Sequence, residues 1–272
     1  MAINDISLTS GMRNNLLALQ QTSSAVSQTQ QRLSSGKKVN SALDNPTNFF
    51  AAQSETQRAS DLNDRKDGMS EAVQTIQAAN AGITGITALI QSAKGLASQA
   101  ASTNDTTAQA TYYSQFLSIT SQITTLASDS GYRGTNLLTN GTLSIEFGQK
   151  TGDSNLTING VNGSAAGLGV SASATWVGST GNATSTSAFM DNALSTLRSN
   201  ASTLASNLSV ITTRQDFTTS MINTLQTGAD NLTLADMNQE SANMLALQTR
   251  QSLGTTALSL SSQAAQSVLK LF

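Results

Sequence analysis

Cysteine and histidine are absent from this sequence, and proline occurs once, at Pro46. Without cysteine there is no disulfide framework and no thiolate site, so stability must come from packing and hydrogen bonding. Without histidine the commonest general base, the commonest metal ligand and the usual partner of a serine or cysteine nucleophile are missing, which removes most grounds for expecting an enzyme. Charge is scarce too: 11% of residues are charged, where soluble domains average about 25%. A formal net charge of −2 offers no basic field for holding nucleic acid. No apolar stretch is long enough to span a bilayer, and the first residues lack the basic flank and apolar run of a secretory leader. No Walker loop, dinucleotide fingerprint or acidic Ca²⁺ loop occurs in a fitting context. The expectation is therefore no enzyme, no cofactor, no metal, no nucleic acid and no membrane.

Small neutral polar residues stand in place of the missing charge. A long chain surfaced in Ser, Thr, Asn, Gln and Ala suits packing against other chains better than life as a free monomer. Helical periodicity governs both ends. Met12, Leu16, Leu19, Ser23, Val26, Gln30 and Leu33 alternate spacings of four and three, as do Met244, Leu247, Gln251, Gly254, Leu258, Ser261, Ala265, Val268 and Phe272. Such seams, running toward both chain ends, need a partner to bury them, and the obvious partner for each is the other.

Three internal helices follow the same rule. Met69, Val73, Ile76, Asn80, Ile83 and Ile90 mark the first, and Phe116, Ile119, Ile123 and Leu126 the second, entered through the capping residues Asn104 and Asp105. The third is a heptad series through Leu194, Leu197, Ala201, Leu204, Leu208, Ile211, Gln215, Thr218, Ile222 and Leu225. Between them, Leu143, Ile145 and Phe147 alternate with polar residues, pass a turn at Thr151–Asp153 and resume with Leu156 and Ile158, which reads as a β-hairpin. Asn162 to Ser187 reads as a Gly/Ser/Thr-rich loop holding Trp176. The three aspartates Asp61, Asp64 and Asp67 read as a solvated helix face neutralised by Arg58, Arg65 and Lys66. The fold class expected is mainly α: an elongated antiparallel helical bundle with paired N- and C-terminal coiled-coil helices and a small β-hairpin and loop insert mid-chain.

The segment "QQRLSSGKKVNSALDNP", Gln30 to Pro46, interrupts this helical text. It breaks at Gly36, and Pro46 steers Asn45 away from helix, so it reads as a turn and spacer joining two helical layers. As a string, with Arg32, Leu33, Ser34, Ser35, Gly36, Val39, Asn40, Ser41, Ala42, Asp44 and Pro46 in order, it resembles the N-terminal signature of the bacterial flagellins. The C-terminal stretch from Leu232, with Ala235, Asp236, Glu240, Leu247, Gln248 and the closing Val268 to Phe272, resembles the C-terminal helix of that family. "GYRGTNLL", Gly131 to Leu138, resembles its Phe-(Asn/Asp)-Gly-x-x-Leu-Leu turn, with Tyr132 in place of phenylalanine.

The resemblance implies a structural subunit that polymerises helically into the flagellar filament used for motility, outside the cell, after unprocessed export by a type III apparatus. A hook–filament junction protein sharing the same signatures is the alternative. Residues 1–40 with 231–272 would be the inner-tube domain, 41–142 with 188–230 the outer-tube domain, and 143–187 a variable insert. Expected partners are further copies of the chain, alone or with sibling flagellins, the export apparatus and a chaperone, and the cap and hook-associated proteins. The expected assembly residues are Leu16, Leu19, Val26, Leu33, Leu247, Leu258, Val268 and Phe272. The expected spacer residues are Arg32, Ser34, Ser35, Gly36, Asn40, Asp44 and Pro46.

Overall fold

Helices dominate the computed structural model, which describes residues 10–149 and 154–269, with the backbone alone at 265, 268 and 269. In order they are α1 (Ser10–Ser35), α2 (Pro46–Ala101), α3 (Thr106–Asp129), strands β1 (Thr142–Glu146) and β2 (Asn155–Asn159), then α4 (Thr180–Thr233) and α5 (Met237–Leu269). The mainly helical class with a small mid-chain hairpin is the one expected. Among the described residues no helix is long and apolar enough to cross a membrane.

Local chemistry sets the boundaries. Gly36 takes φ +70°, and its N–H closes the last turn of α1 onto the Arg32 carbonyl at 2.8 Å. At the start of α2 the Asn45 carboxamide oxygen accepts from Asn48 N at 3.1 Å. Pro46 occupies the first helical position, where a missing N–H costs nothing. Asp105 caps α3 by accepting from Thr107 N at 2.9 Å. The chain divides into two compact units, one comprising the residues up to Gln57 with those from Thr224, the other Arg58–Asn223. Because α2 and α4 run on unbroken through these points, the divisions fall inside helices rather than in the spacer.

In the Arg58–Asn223 unit, α2 faces the core with Met69, Ala72, Ile76, Ala79, Ile83, Ile86, Ile90, Ala93, Ala97 and Ala100, all buried at spacings of three and four. Val73 is only partly buried and Asn80 is exposed, so alternate positions of the expected stripe shift by one residue onto alanines. Alanine lets neighbouring backbones approach closely. A Cβ at Gly82 would lie 2.6 Å from Ser130 Cβ, and one at Gly85 2.8 Å from a Leu126 methyl, so α3 also sits close against α2. On α4 the heptad is as read: Leu194, Leu197, Leu204, Ile211, Thr218 and Ile222 are buried.

The hairpin pairs β1 and β2 antiparallel, Leu143 opposite Ile158 and Ile145 opposite Leu156, with Ile145 and Ile158 buried in the same core. The turn at Thr151–Asp153 lies outside the described residues. The loop expected through Ser187 is shorter than expected, because α4 begins at Thr180 and continues the heptad backward through the buried Met190, Thr186 and Ala183. A polar side chain of α3 moors the remaining insert. Gln109, buried, donates to the Thr103 carbonyl at 2.7 Å and accepts from Gly178 N at 2.7 Å. The segment Gly131 to Leu138 is a tight turn: Tyr132 and Thr135 exchange backbone hydrogen bonds of 2.9 Å around Arg133 and Gly134, both at positive φ. Asn136 then caps the end of α3, donating to the Ala127 and Ser128 carbonyls at 2.8 and 2.9 Å. Arg65 pairs with Glu146 on β1 at 2.6 Å, and Asp61 accepts from Gln149 at 3.2 Å, so this stretch of α2 is tied to the hairpin. Asp64 and Asp67 are exposed, as on the solvated face expected.

Candidate assembly surface

In the other unit α1 and α5 pair antiparallel, with Leu19 packed over Gly254 (its Cγ is 3.1 Å from where a Cβ would be) and Arg32 opposite Glu240. Of the expected assembly residues, Leu19, Val26, Leu33, Leu247 and Leu258 are half-buried. Leu16 is 40% exposed, while the Val268 side chain and Phe272 lie outside the described residues. On α5 the inward stripe follows the seam read from sequence, Met244, Leu247, Gln251, Gly254, Leu258 and Ser261 all being partly buried. On α1 it runs through Thr22 and the buried Thr29, whereas Ser23 and Gln30 are exposed. Thr22 donates its hydroxyl to the Ala18 carbonyl of its own helix at 2.8 Å, which leaves its methyl for the interface.

The spacer is stitched to the break between α4 and α5. Lys38 N and Val39 N both donate to the Thr233 carbonyl, at 2.7 and 3.3 Å, and Ala235 N donates to the Gly36 carbonyl at 3.0 Å. Lys38 Nζ reaches the Asn231 carbonyl at 2.9 Å, at the end of α4 where a cation is favoured. Arg32 Nη1 donates to Glu240 Oε1 at 3.0 Å, clamping the end of α1 onto the first turn of α5. The signature residues thus have assignable work. Arg32 makes the clamp, Gly36 supplies the left-handed turn, and Ser35 Oγ accepts from Lys37 N at 3.2 Å. Asn40 donates through Nδ2 to the Lys37 carbonyl at 3.3 Å, and Pro46 opens α2. Ser34 is exposed.

Asp44 folds the loop itself. Its Oδ2 accepts from Asn40 N at 2.9 Å, Ser41 N at 3.0 Å and Ser41 Oγ at 3.3 Å. These bonds, the Asn40 amide foremost, hold its pKa below the ordinary 3.8, with a smaller contribution from the Arg32 charge. A depressed carboxylate pKa stabilises the folded loop above the unfolded value and loses that stabilisation as pH falls through the folded one. The Asn40 and Ser41 amides should therefore keep their hydrogen-exchange protection at neutral pH and lose it on acidification below 3.8. In Asp44→Ala they should be unprotected throughout; unchanged protection in that variant would refute the role.

A second stripe lies on the opposite face of α5. Leu245, Leu253 and Leu260, spaced by eight and seven, are 68, 65 and 62% exposed. At 100° per residue they cluster on the side away from the seam, so α5 is apolar on two faces and α1 covers only one of them. Sequence reading followed the seam and missed this stripe, whose leucines were legible as a separate series.

The paired helices thus half-bury one apolar stripe between them and leave a second open, a pattern that suits packing against other chains. The bacterial flagellin N-terminal helical region matches residues 3–142 and the C-terminal helical region residues 188–272. The chain belongs to the bacterial flagellin family, a family of structural proteins and not of enzymes. Flagellin FljM of Caulobacter vibrioides is 32% identical over the whole of both chains, and flagellin FljK of the same organism 31% identical, again over the whole of both. A crystal structure of Bacillus cereus flagellin aligns with 57% of this chain and 88% of its own, at 17% identity and a TM-score of 0.47. The chain is accordingly a subunit of the extracellular flagellar filament, polymerising with itself and with sibling flagellins.

Proposed function

We propose that the subunit enters the filament through the α5 face carrying Leu245, Leu253 and Leu260, while the seam through Leu19, Val26, Leu33, Leu247 and Leu258 holds α1 against α5. The observation that carries this reading is the double apolar character of α5, with one stripe half-buried against α1 and three leucines left open. In this reading residues 1–40 with 231–272 line an inner tube, 41–142 with 188–230 build the tube around it, and 143–187 form the variable insert. Leu16, one turn before Leu19 on α1, extends the seam. Secretion runs through the flagellar export apparatus with a chaperone, and growth occurs under the cap, above the hook-associated proteins. The hook–filament junction alternative is not favoured, since the curated relatives matched along the whole chain are named flagellins.

Leu253→Lys tests the open stripe. That side chain is largely exposed in the subunit, so the monomer should keep its helical circular dichroism. Burying a leucine contributes about 1.5–3 kcal/mol, so seeded polymerisation should need a critical concentration at least roughly tenfold higher. Sedimentation with parental seeds measures it, and an unchanged critical concentration would remove the stripe from the assembly surface.

A further inference from the structure

One apolar side chain in this unit stands almost wholly in solvent: Leu43, 96% exposed, on the spacer between α1 and α2. Its loop is not loose. Three hydrogen bonds converge on Asp44 Oδ2, Leu43 N donates to Ser41 Oγ at 3.3 Å, and Asp44 N donates to the Ser41 carbonyl at 3.2 Å. The backbone of Leu43 is thus fixed from both sides while its side chain meets almost nothing of its own chain. Seven residues on, Phe50 is 58% exposed and stacked edge-on against Phe49 with centroids 5.5 Å apart. A rigidly presented apolar knob with little intramolecular contact has the form of an interface anchor, because little side-chain or loop entropy is lost when it docks.

We infer that Leu43 is a docking knob that inserts into an apolar hole on a second copy of this chain in the filament. This rests on the filament reading above and goes beyond it, since neither the terminal seam nor the open leucine stripe requires anything of Leu43. The occupant follows from continuity. The loop is bonded through Lys38 and Val39 to the end of α4 and clamped through Arg32 to α5, so it extends the unit that carries the open stripe. Two of its charges are turned inward, Lys38 to the Asn231 carbonyl and Asp44 to its own loop, so the loop presents the Leu43 side chain beside the exposed Lys37.

The absence of cysteine makes the test direct, since Leu43→Cys carries a single thiol. Its reaction with a small maleimide should be fast in the monomer and at least roughly tenfold slower in filaments of the same variant, which contain no other protein. Equal rates in monomer and in filaments of normal appearance would overturn the docking knob while leaving the filament reading intact. Failure of the parental chain itself to polymerise on seeds would instead defeat the filament reading. If Leu43→Cys monomers keep parental circular dichroism but do not assemble, and Leu43→Met restores assembly, the knob is supported by the other route.

Discussion

Leu258→Asp is expected to abolish filament growth at concentrations where the parental chain polymerises, and to weaken the α1–α5 pair in the monomer as well. Leu258 sits on the inward stripe of α5, one turn beyond Gly254, the residue on which Leu19 rests. Aspartate there forfeits the apolar contact and brings a carboxylate into a partly desolvated seam, where burial opposes the charge. For a half-buried leucine the combined cost is about 2 kcal/mol, which raises the critical concentration roughly thirtyfold. Seeded sedimentation reads the assembly defect, and circular dichroism of the monomer reads the helix loss. Parental values in both would show that the seam does not hold the pair together.

The contrast with Leu253→Lys separates two jobs on one helix. Leu253 faces away from α1, so its replacement should leave the monomer intact and disturb only association, whereas Leu258→Asp should disturb both. If the two variants behaved alike in the monomer, the assignment of opposite faces on α5 would be wrong. The seam itself is half polar, with Gln251, Gly254 and Ser261 alternating with Met244, Leu247 and Leu258, so helix pairing alone is weakly driven. Covering the second stripe adds apolar burial to the same helix, which couples the order of the pair to assembly.

Much of this organisation was legible because heptads of large side chains are hard to mistake. On α4 the residues from Leu194 to Ile222 fall where the spacing puts them. On α2 the reading slipped at two positions, taking Val73 and Asn80 where the helix buries Ala72 and Ala79. Alanine adds little hydropathy, yet it is what a closely packed helix needs. The start of α4 was hidden for a similar reason: Thr180 to Ser187 has the composition of a loop, and its helicity rests on tertiary burial of Ala183 and Thr186. In the spacer, Gly36 and Pro46 announced the two helix ends, but the bonds to Thr233 and Gly36 join segments some two hundred residues apart and leave no local trace. The Leu245–Leu253–Leu260 stripe was visible only to a search for two periodicities on one helix.

Trp176→Ala is expected to be the most damaging single change in the Arg58–Asn223 unit. The indole is fully buried, packed edge-on against Tyr113 with centroids 5.4 Å apart and tilted against Phe116 at 4.9 Å. Its Nε1 donates to Thr186 Oγ1 at 3.1 Å. That hydroxyl also accepts from Ser173 N at 3.2 Å and donates to the Asn182 carbonyl at 2.8 Å, so all its hydrogen-bonding capacity is taken. Removing the ring opens a large cavity where the insert meets α3 and α4, at a cost of about 3–5 kcal/mol. For a unit of this size that corresponds to a fall in midpoint temperature of roughly 10 °C, measured by calorimetry or circular dichroism. Thr186→Val separates packing from hydrogen bonding. It keeps the ring and the volume but strands the buried Trp176 Nε1, at about 1–3 kcal/mol. As the sequence holds one tryptophan, its emission reports the site directly in that variant. A Trp176→Ala protein melting within a degree or two of the parent would mean that the insert is not part of the cooperative core.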